Sequence, residues 1–214
     1  GTTLMHVVNR PVFGALALAL LTLPTSATAQ LQAPNGVVTL AAGTGAPIAA
    51  LRRAGGYVCT REETARVRDR LWTNGTLNRE VIAKDADTLR DVFELGPEAQ
   101  GARFFLVEEG RPDPESPFTN EKLSLVLTVY RVEDMDDAVA QLSTILDVCG
   151  KGHSVGIHTN TPANAEKLAQ SIDVVRVLVN QAHAMGNGGS FDNALEFTLS
   201  MGGGTWAGNS ISEN

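Results

Sequence analysis

Cys59 stands immediately before Thr60, at a helix start marked by the Thr60 and Glu63 capping pattern. A helix N-terminus favours a thiolate by about 0.3–1 kcal/mol. That lowers a thiol pKa near ~8.5 by less than about one unit. Cys59 is therefore expected to stay protonated near neutrality and to act as a structural side chain. Cys149 follows an apolar helix, whose C-terminal end opposes a thiolate, and is expected to be inert. The four histidines, His6, His153, His158 and His183, lack the spacing with carboxylates or thiols that a zinc site needs. His153 lies between a glycine and a strand, and Glu121 stands where a strand begins; taken alone, each reads as a loop histidine and a solvated carboxylate. The segment from Gly186 onward sets Asn187, Phe191 and Trp206 among many glycines, which describes backbone packed close against something. It reads as a substrate-lining loop or as a tight subunit contact. Gly43-Thr44-Gly45, between a strand and a helix, has the form of a phosphate cradle, but so short a pattern reads first as a plain connection.

The elements that must position these side chains follow from periodicity and capping. Val37–Leu40 is a short strand, and a helix runs from about Pro47 to Arg53. The capping box opens a helix to about Trp72, and Asn74-Gly75 is a turn. A helix from about Asp85 to Leu95 precedes a strand at Ala102–Val107, and Arg111 to Pro117 is a proline-rich loop. Leu123–Val132 is apolar on both faces, as expected inside a parallel sheet covered on both sides. Asp134 to about Val148 shows apolar residues at helical spacing. A strand at Ser154–Thr159, a helix opened by Thr161-Pro162 and a strand at Val175–Val179 complete the pattern. Strands alternating with helices imply right-handed crossovers and an α/β fold: a layered, largely parallel sheet with helices on both faces.

The chain has 214 residues, 43% of them hydrophobic and 19% charged, with a net charge of −7. Those values describe a mildly acidic globule with a respectable core. Lysine and arginine total 17, scattered and without interleaved aromatics, so no nucleic-acid groove is expected. Two cysteines are too few for a disulfide scaffold. Residues 1–30 differ in character from the rest. A basic start, the apolar run Val12 to Leu21, a break at Pro24 and Ala27-Thr28-Ala29 form the pattern of a secretory signal. The alternative is a core helix from a truncated domain; the run is too short to span a bilayer. Residues 31–54 read as a connector and 55–214 as the main body.

Three ordered blocks carry a resemblance. They are Phe118-Thr119-Asn120-Glu121-Lys122-Leu123-Ser124 running to Arg131, Gly150-Lys151-Gly152-His153-Ser154 running to Thr159, and the glycine-rich segment from Gly186 to Asn214. Together they resemble the C-terminal, catalytic-domain half of the CoA-acylating aldehyde dehydrogenases, the group of the acetaldehyde, sulfoacetaldehyde and succinate-semialdehyde enzymes. The resemblance implies that family's layered catalytic-domain fold, NAD or NADP and CoA as cofactors, a small aldehyde as substrate, a homo-oligomer, and a cytoplasmic location, or an exported one if residues 5–29 work as a signal. It also implies roles: Glu121 for the ribose beside the nicotinamide, His153 near the reacting centre, and Asn187, Phe191 and Trp206 for the substrate end. The family's nucleophilic cysteine belongs to a motif followed by serines and a glutamate, and no such motif occurs here. The expectation is a fragment of an NAD(P)-dependent oxidoreductase, inactive alone; a non-catalytic oligomerisation or binding module, or an exported α/β protein, are the alternatives. Leu125, Ala194, Glu196, Gly203 and Ala207 depart from the family wording.

Overall fold

The structure is a computed structural model that describes residues 4–8, 17–21, 36–42, 46–151, 154–174, 176–181 and 186. In chain order the elements are β1 (Leu4–Val8), β2 (Ala17–Leu21), β3 (Gly36–Ala42), α1 (Ala46–Arg53), β4 (Gly56–Val58), α2 (Arg61–Leu71), β5 (Trp72–Thr73) and β6 (Thr76–Leu77). They continue with α3 (Ala86–Val92), β7 (Phe104–Glu108), β8 (Val126–Val132), α4 (Met135–Cys149), β9 (Ser154–Ile157), α5 (Pro162–Ser171) and β10 (Arg176–Val179).

Eight of the strands form one sheet in the order β10-β9-β2-β1-β3-β8-β7-β4. All neighbouring pairs are parallel except those of β1, which runs antiparallel to β2, β3 and β9. The strands near Phe104, Leu125, Val155 and Val177 thus share one sheet, as their two-sided apolar composition predicts, with β8 beginning one residue after Leu125. The apolar run near the start of the chain contributes a strand, Ala17–Leu21, in place of the helix its alternative reading requires.

Alternation along β7 and β8 divides the core. Phe105, Val107 and Val126 pack with Val67 and Leu71 of α2 and Leu89 of α3, while Tyr130 and Val132 pack on that same face with Leu142, Ile145 and Leu146 of α4. Phe104, Leu106, Leu127 and Val129 point the other way and meet Ile48 and Leu51 of α1. Period-2 side-chain placement and apolar residues at both parities therefore put helices on both faces. The helix starts are fixed locally. Thr60 accepts from the Glu63 amide while the Glu63 carboxylate accepts from the Thr60 amide, and Asp85 and Asp134 accept from Thr88 and Asp137. Within α2's neighbourhood Phe93 and Phe105 meet edge to face at 6.1 Å, a contact worth about 0.5–1.5 kcal/mol beyond its buried area.

Candidate functional site

Glu121 is carried by the stretch between β7 and β8, and that stretch is held by an unusually polar patch of the core. Two side chains on one face of β8, Thr128 and Tyr130, bear hydroxyls that are fully buried. The Thr128 hydroxyl donates to the Phe118 carbonyl at 3.0 Å, and the Tyr130 hydroxyl lies 3.1 Å from the Thr119 hydroxyl. Thr119 also accepts from the Asp113 amide at 3.1 Å, which ties the near end of the loop to its turn. The turn itself is a single 3-10 turn, Pro117–Thr119, with proline at its first position.

Helices grip the turn from both sides. The Cys149 thiol at the end of α4 donates to the Thr119 carbonyl at 3.1 Å. From the α2 side, Trp72 meets the Phe118 ring edge to face at 5.6 Å, and the Arg68 guanidinium lies 5.0 Å over the same ring. Beneath the turn, the wholly buried Lys122 amine donates to the carbonyls of Phe118 at 2.8 Å and Asn120 at 2.9 Å. Burial depresses its pKa to about 7, although the carboxylates of Glu121 and Glu109 and the Cys149 sulfur pull it upward.

The turn forms one wall of a cleft of about 700 Å³, contributing Pro117, Asn120 and Glu121 together with Glu115. The other wall is the β5–β6 hairpin, through Trp72, Gly75 and Leu77. That hairpin reverses at Asn74 and Gly75, whose φ values of 53° and 73° are those of the tight mirror-image turn that Asn-Gly favours. Of the residues singled out by sequence, Glu121 is thus placed on a cleft. His153, Asn187, Phe191 and Trp206 lie outside the described residues.

Neither thiol is prepared for nucleophilic attack. Burial pushes Cys59 up to about 12, and the Glu63 charge adds to this while Arg66 opposes it. The helix start was expected to lower this thiol slightly, but Glu63 turns back to cap the helix, accepting from Tyr57 and the Thr60 amide, and so sets a carboxylate beside the sulfur. Burial likewise raises Cys149 to about 11, with Lys122 pulling the other way. His158, partly buried beyond β9, is depressed to about 4 by desolvation and stays neutral near neutrality. Among the described residues no group of three or more His, Cys, Asp or Glu side chains could hold a metal ion, and no helix is long and apolar enough to cross a membrane.

The chain matches no model of a known protein family. It is 40% identical over 166 residues to the sulfoacetaldehyde dehydrogenase (acylating) of Cupriavidus necator, an alignment covering 77% of this chain and 34% of that protein. The chain is related to part of the acylating aldehyde dehydrogenases. The like-named enzyme of Bilophila wadsworthia is 35% identical over 173 residues, 78% of this chain and 37% of its own length. The crystal structure of a probable aldehyde dehydrogenase from Listeria monocytogenes superposes with a TM-score of 0.69 at 27% identity, covering 79% of this chain and 37% of that one. The layered α/β architecture is therefore that of the acylating aldehyde dehydrogenases, and this chain spans about a third of the length of the curated relatives it matches.

Sequence reasoning did not find the polar scaffold under the Glu121 turn. A signal was present: Thr128 and Tyr130 stand two apart in an otherwise apolar strand, so they put two hydroxyls on one buried face. Buried hydroxyls require partners, and the partners had to come from whichever loop crosses that face.

Proposed function

We propose that this chain carries the cofactor-ribose side of an acylating aldehyde dehydrogenase site and does not by itself convert an aldehyde and CoA to acyl-CoA. The observation that carries the first half is Glu121 on the wall of a cleft large enough for a nucleotide fragment. Members of the family are NAD(P)- and CoA-dependent. The residues present fit part of such a cofactor. A carboxylate accepts hydrogen bonds from vicinal hydroxyls, and Trp72, Leu77 and Pro117 offer apolar surface beside it. Among the described residues the lining includes no lysine or arginine, so this wall suits a ribose and not the phosphates of NAD(P) or CoA.

A nicotinamide held there would supply the hydride acceptor for oxidation of the aldehyde carbon. Glu121 would hold the ribose so that the ring presents one face, a matter of orientation that binding energy can supply. By resemblance His153 is assigned to the reacting centre, and Asn187, Phe191 and Trp206 to the substrate end. A homo-oligomer and the division into residues 1–30, 31–54 and a family-like body at 55–214 belong to the same proposal.

The missing step is nucleophilic attack, because a thiolate is required and both thiols are raised well above neutrality. The test is NAD(P)-dependent acyl-CoA formation from sulfoacetaldehyde or acetaldehyde by the purified chain. No turnover above background is expected from the parent chain, Cys59→Ala or Cys149→Ala. Turnover that disappears with Cys59→Ala would make that thiol the nucleophile and overturn the second half of the proposal.

A further inference from the structure

The wholly buried Lys122 is an ionisable group for which the family chemistry supplies no task. A buried ammonium is costly to desolvate, and a lysine that only filled space could be replaced by an apolar side chain without that cost. Its placement is specific. The amine bonds to the Phe118 carbonyl, inside the 3-10 turn, and to the Asn120 carbonyl, just past it, so one side chain spans the residues that lead directly into Glu121. The Phe118 carbonyl is shared with Thr128, and Thr119 is fixed by Tyr130 and Cys149, so among the described residues Lys122 closes a scaffold whose other members hold the first part of the turn. Asn120, by contrast, receives its carbonyl partner from Lys122. Three residues further on, Leu123 takes a left-handed φ of 45°, and its carbonyl accepts from the Ala83 amide. Backbone strain of this kind persists where surrounding contacts over-determine it.

We propose that Lys122 is a positioning residue for Glu121: by holding the Phe118 and Asn120 carbonyls it fixes the turn that sets the Glu121 carboxylate on the cleft wall. The inference rests on the ribose-site reading for its functional meaning, but its structural content stands alone. The ammonium makes the stronger, charge-assisted pair of bonds, and burial brings its titration to about pH 7. Among the described residues the titratable groups around it are Glu121 on its own segment, Glu109 beyond β7, and Cys149 at the end of α4, with the Tyr130 hydroxyl on β8 bonded to the same turn. Both the thiol and the phenol are raised by burial and stay protonated across this range, while the lysine titrates within it. Deprotonation should therefore loosen the turn.

Hydrogen exchange decides the matter in the full chain without any ligand. The Thr119 and Asn120 amides are bonded to the Ser116 and Pro117 carbonyls, so their protection reports the turn. After correction for intrinsic rates, protection at these two amides should fall between about pH 6 and pH 8 while that of Val126 to Val132 stays level. Lys122→Met should lower their protection on the order of tenfold and abolish the pH step. Protection that is flat with pH in the parent chain, a measurement needing no variant, would overturn the proposal. So would a Lys122→Met chain with unchanged protection at these amides. Titration with NADH separates this from the parent reading. A chain that loses turn protection as described but never binds NADH refutes the ribose site and leaves the positioning role intact, whereas NADH binding indifferent to Lys122→Met refutes the role and leaves the site.

Discussion

A lysine with a depressed pKa leaves a signature in stability as well as in geometry. The unfolded side chain titrates near ~10.4 and the folded one at about 7. Below pH 7 both states are protonated and the folded state bears the full burial cost. Between these values the unfolded state binds the extra proton, so this group makes stability rise with pH. The thiols act in the opposite sense. Their folded pKa values of about 12 and about 11 lie above the ~8.5 of the unfolded chain, so their contribution is present below ~8.5 and is lost as pH rises past it. Thermal denaturation between pH 7 and about 8.5 should therefore show stability rising in the parent chain relative to Lys122→Met; equal slopes would mean that the lysine is solvated. None of this was legible in the sequence. Glu121 could be placed by its resemblance to a family position, but nothing in the sequence marks the neighbouring Lys122 until the Phe118 and Asn120 carbonyls are seen around it. Cys59 shows the reverse case: the capping box was readable, yet the consequence of Glu63 turning back toward Tyr57 and the thiol was not.

At the level of elements, the starts of α2, α3 and α4 fall where Thr60, Asp85 and Asp134 announce them, because a cap is a contact within three residues. The Asn74-Gly75 turn was equally local, and here the hairpin it closes is also a wall of the cleft. An added Cβ at Gly75 would meet nothing within 4 Å, so the cost of a substitution there comes from its φ of 73° alone. Gly75→Ala should therefore destabilise by about 1–2 kcal/mol, the left-handed penalty for an L-residue, seen as a lowered denaturation midpoint. A neutral outcome would show that the turn relaxes to another type. Gly56 differs, since its Cβ would come within 2.9 Å of the Leu51 carbonyl and within 2.7 Å of the Phe104 ring. There the glycine is fixed by close packing between α1, β4 and β7.

For the whole molecule, local signals identified strands and helices but not their order. Apolar faces on Val126–Val132 and Ser154–Ile157 placed both in a sheet, yet the structure sets β3, β1 and β2 between them. Those three come from a region whose composition reads as a leader and a connector, and pairing between distant strands leaves no periodicity to read. The cleft, similarly, is built by the β5–β6 hairpin and the 3-10 turn, whose residues 72–77 and 115–121 meet only in the folded chain. We propose that this cleft, with Glu121 on its wall, is the ribose end of a dinucleotide site. Trp72 lines the same cleft, so NADH bound there should quench tryptophan emission and accept its energy. The decisive measurement is an NADH titration of the parent chain and of Glu121→Gln followed by that energy transfer. Saturable binding that weakens on the order of tenfold in Glu121→Gln is the predicted result. Absence of binding in the parent chain, or equal affinity in both, would contradict it.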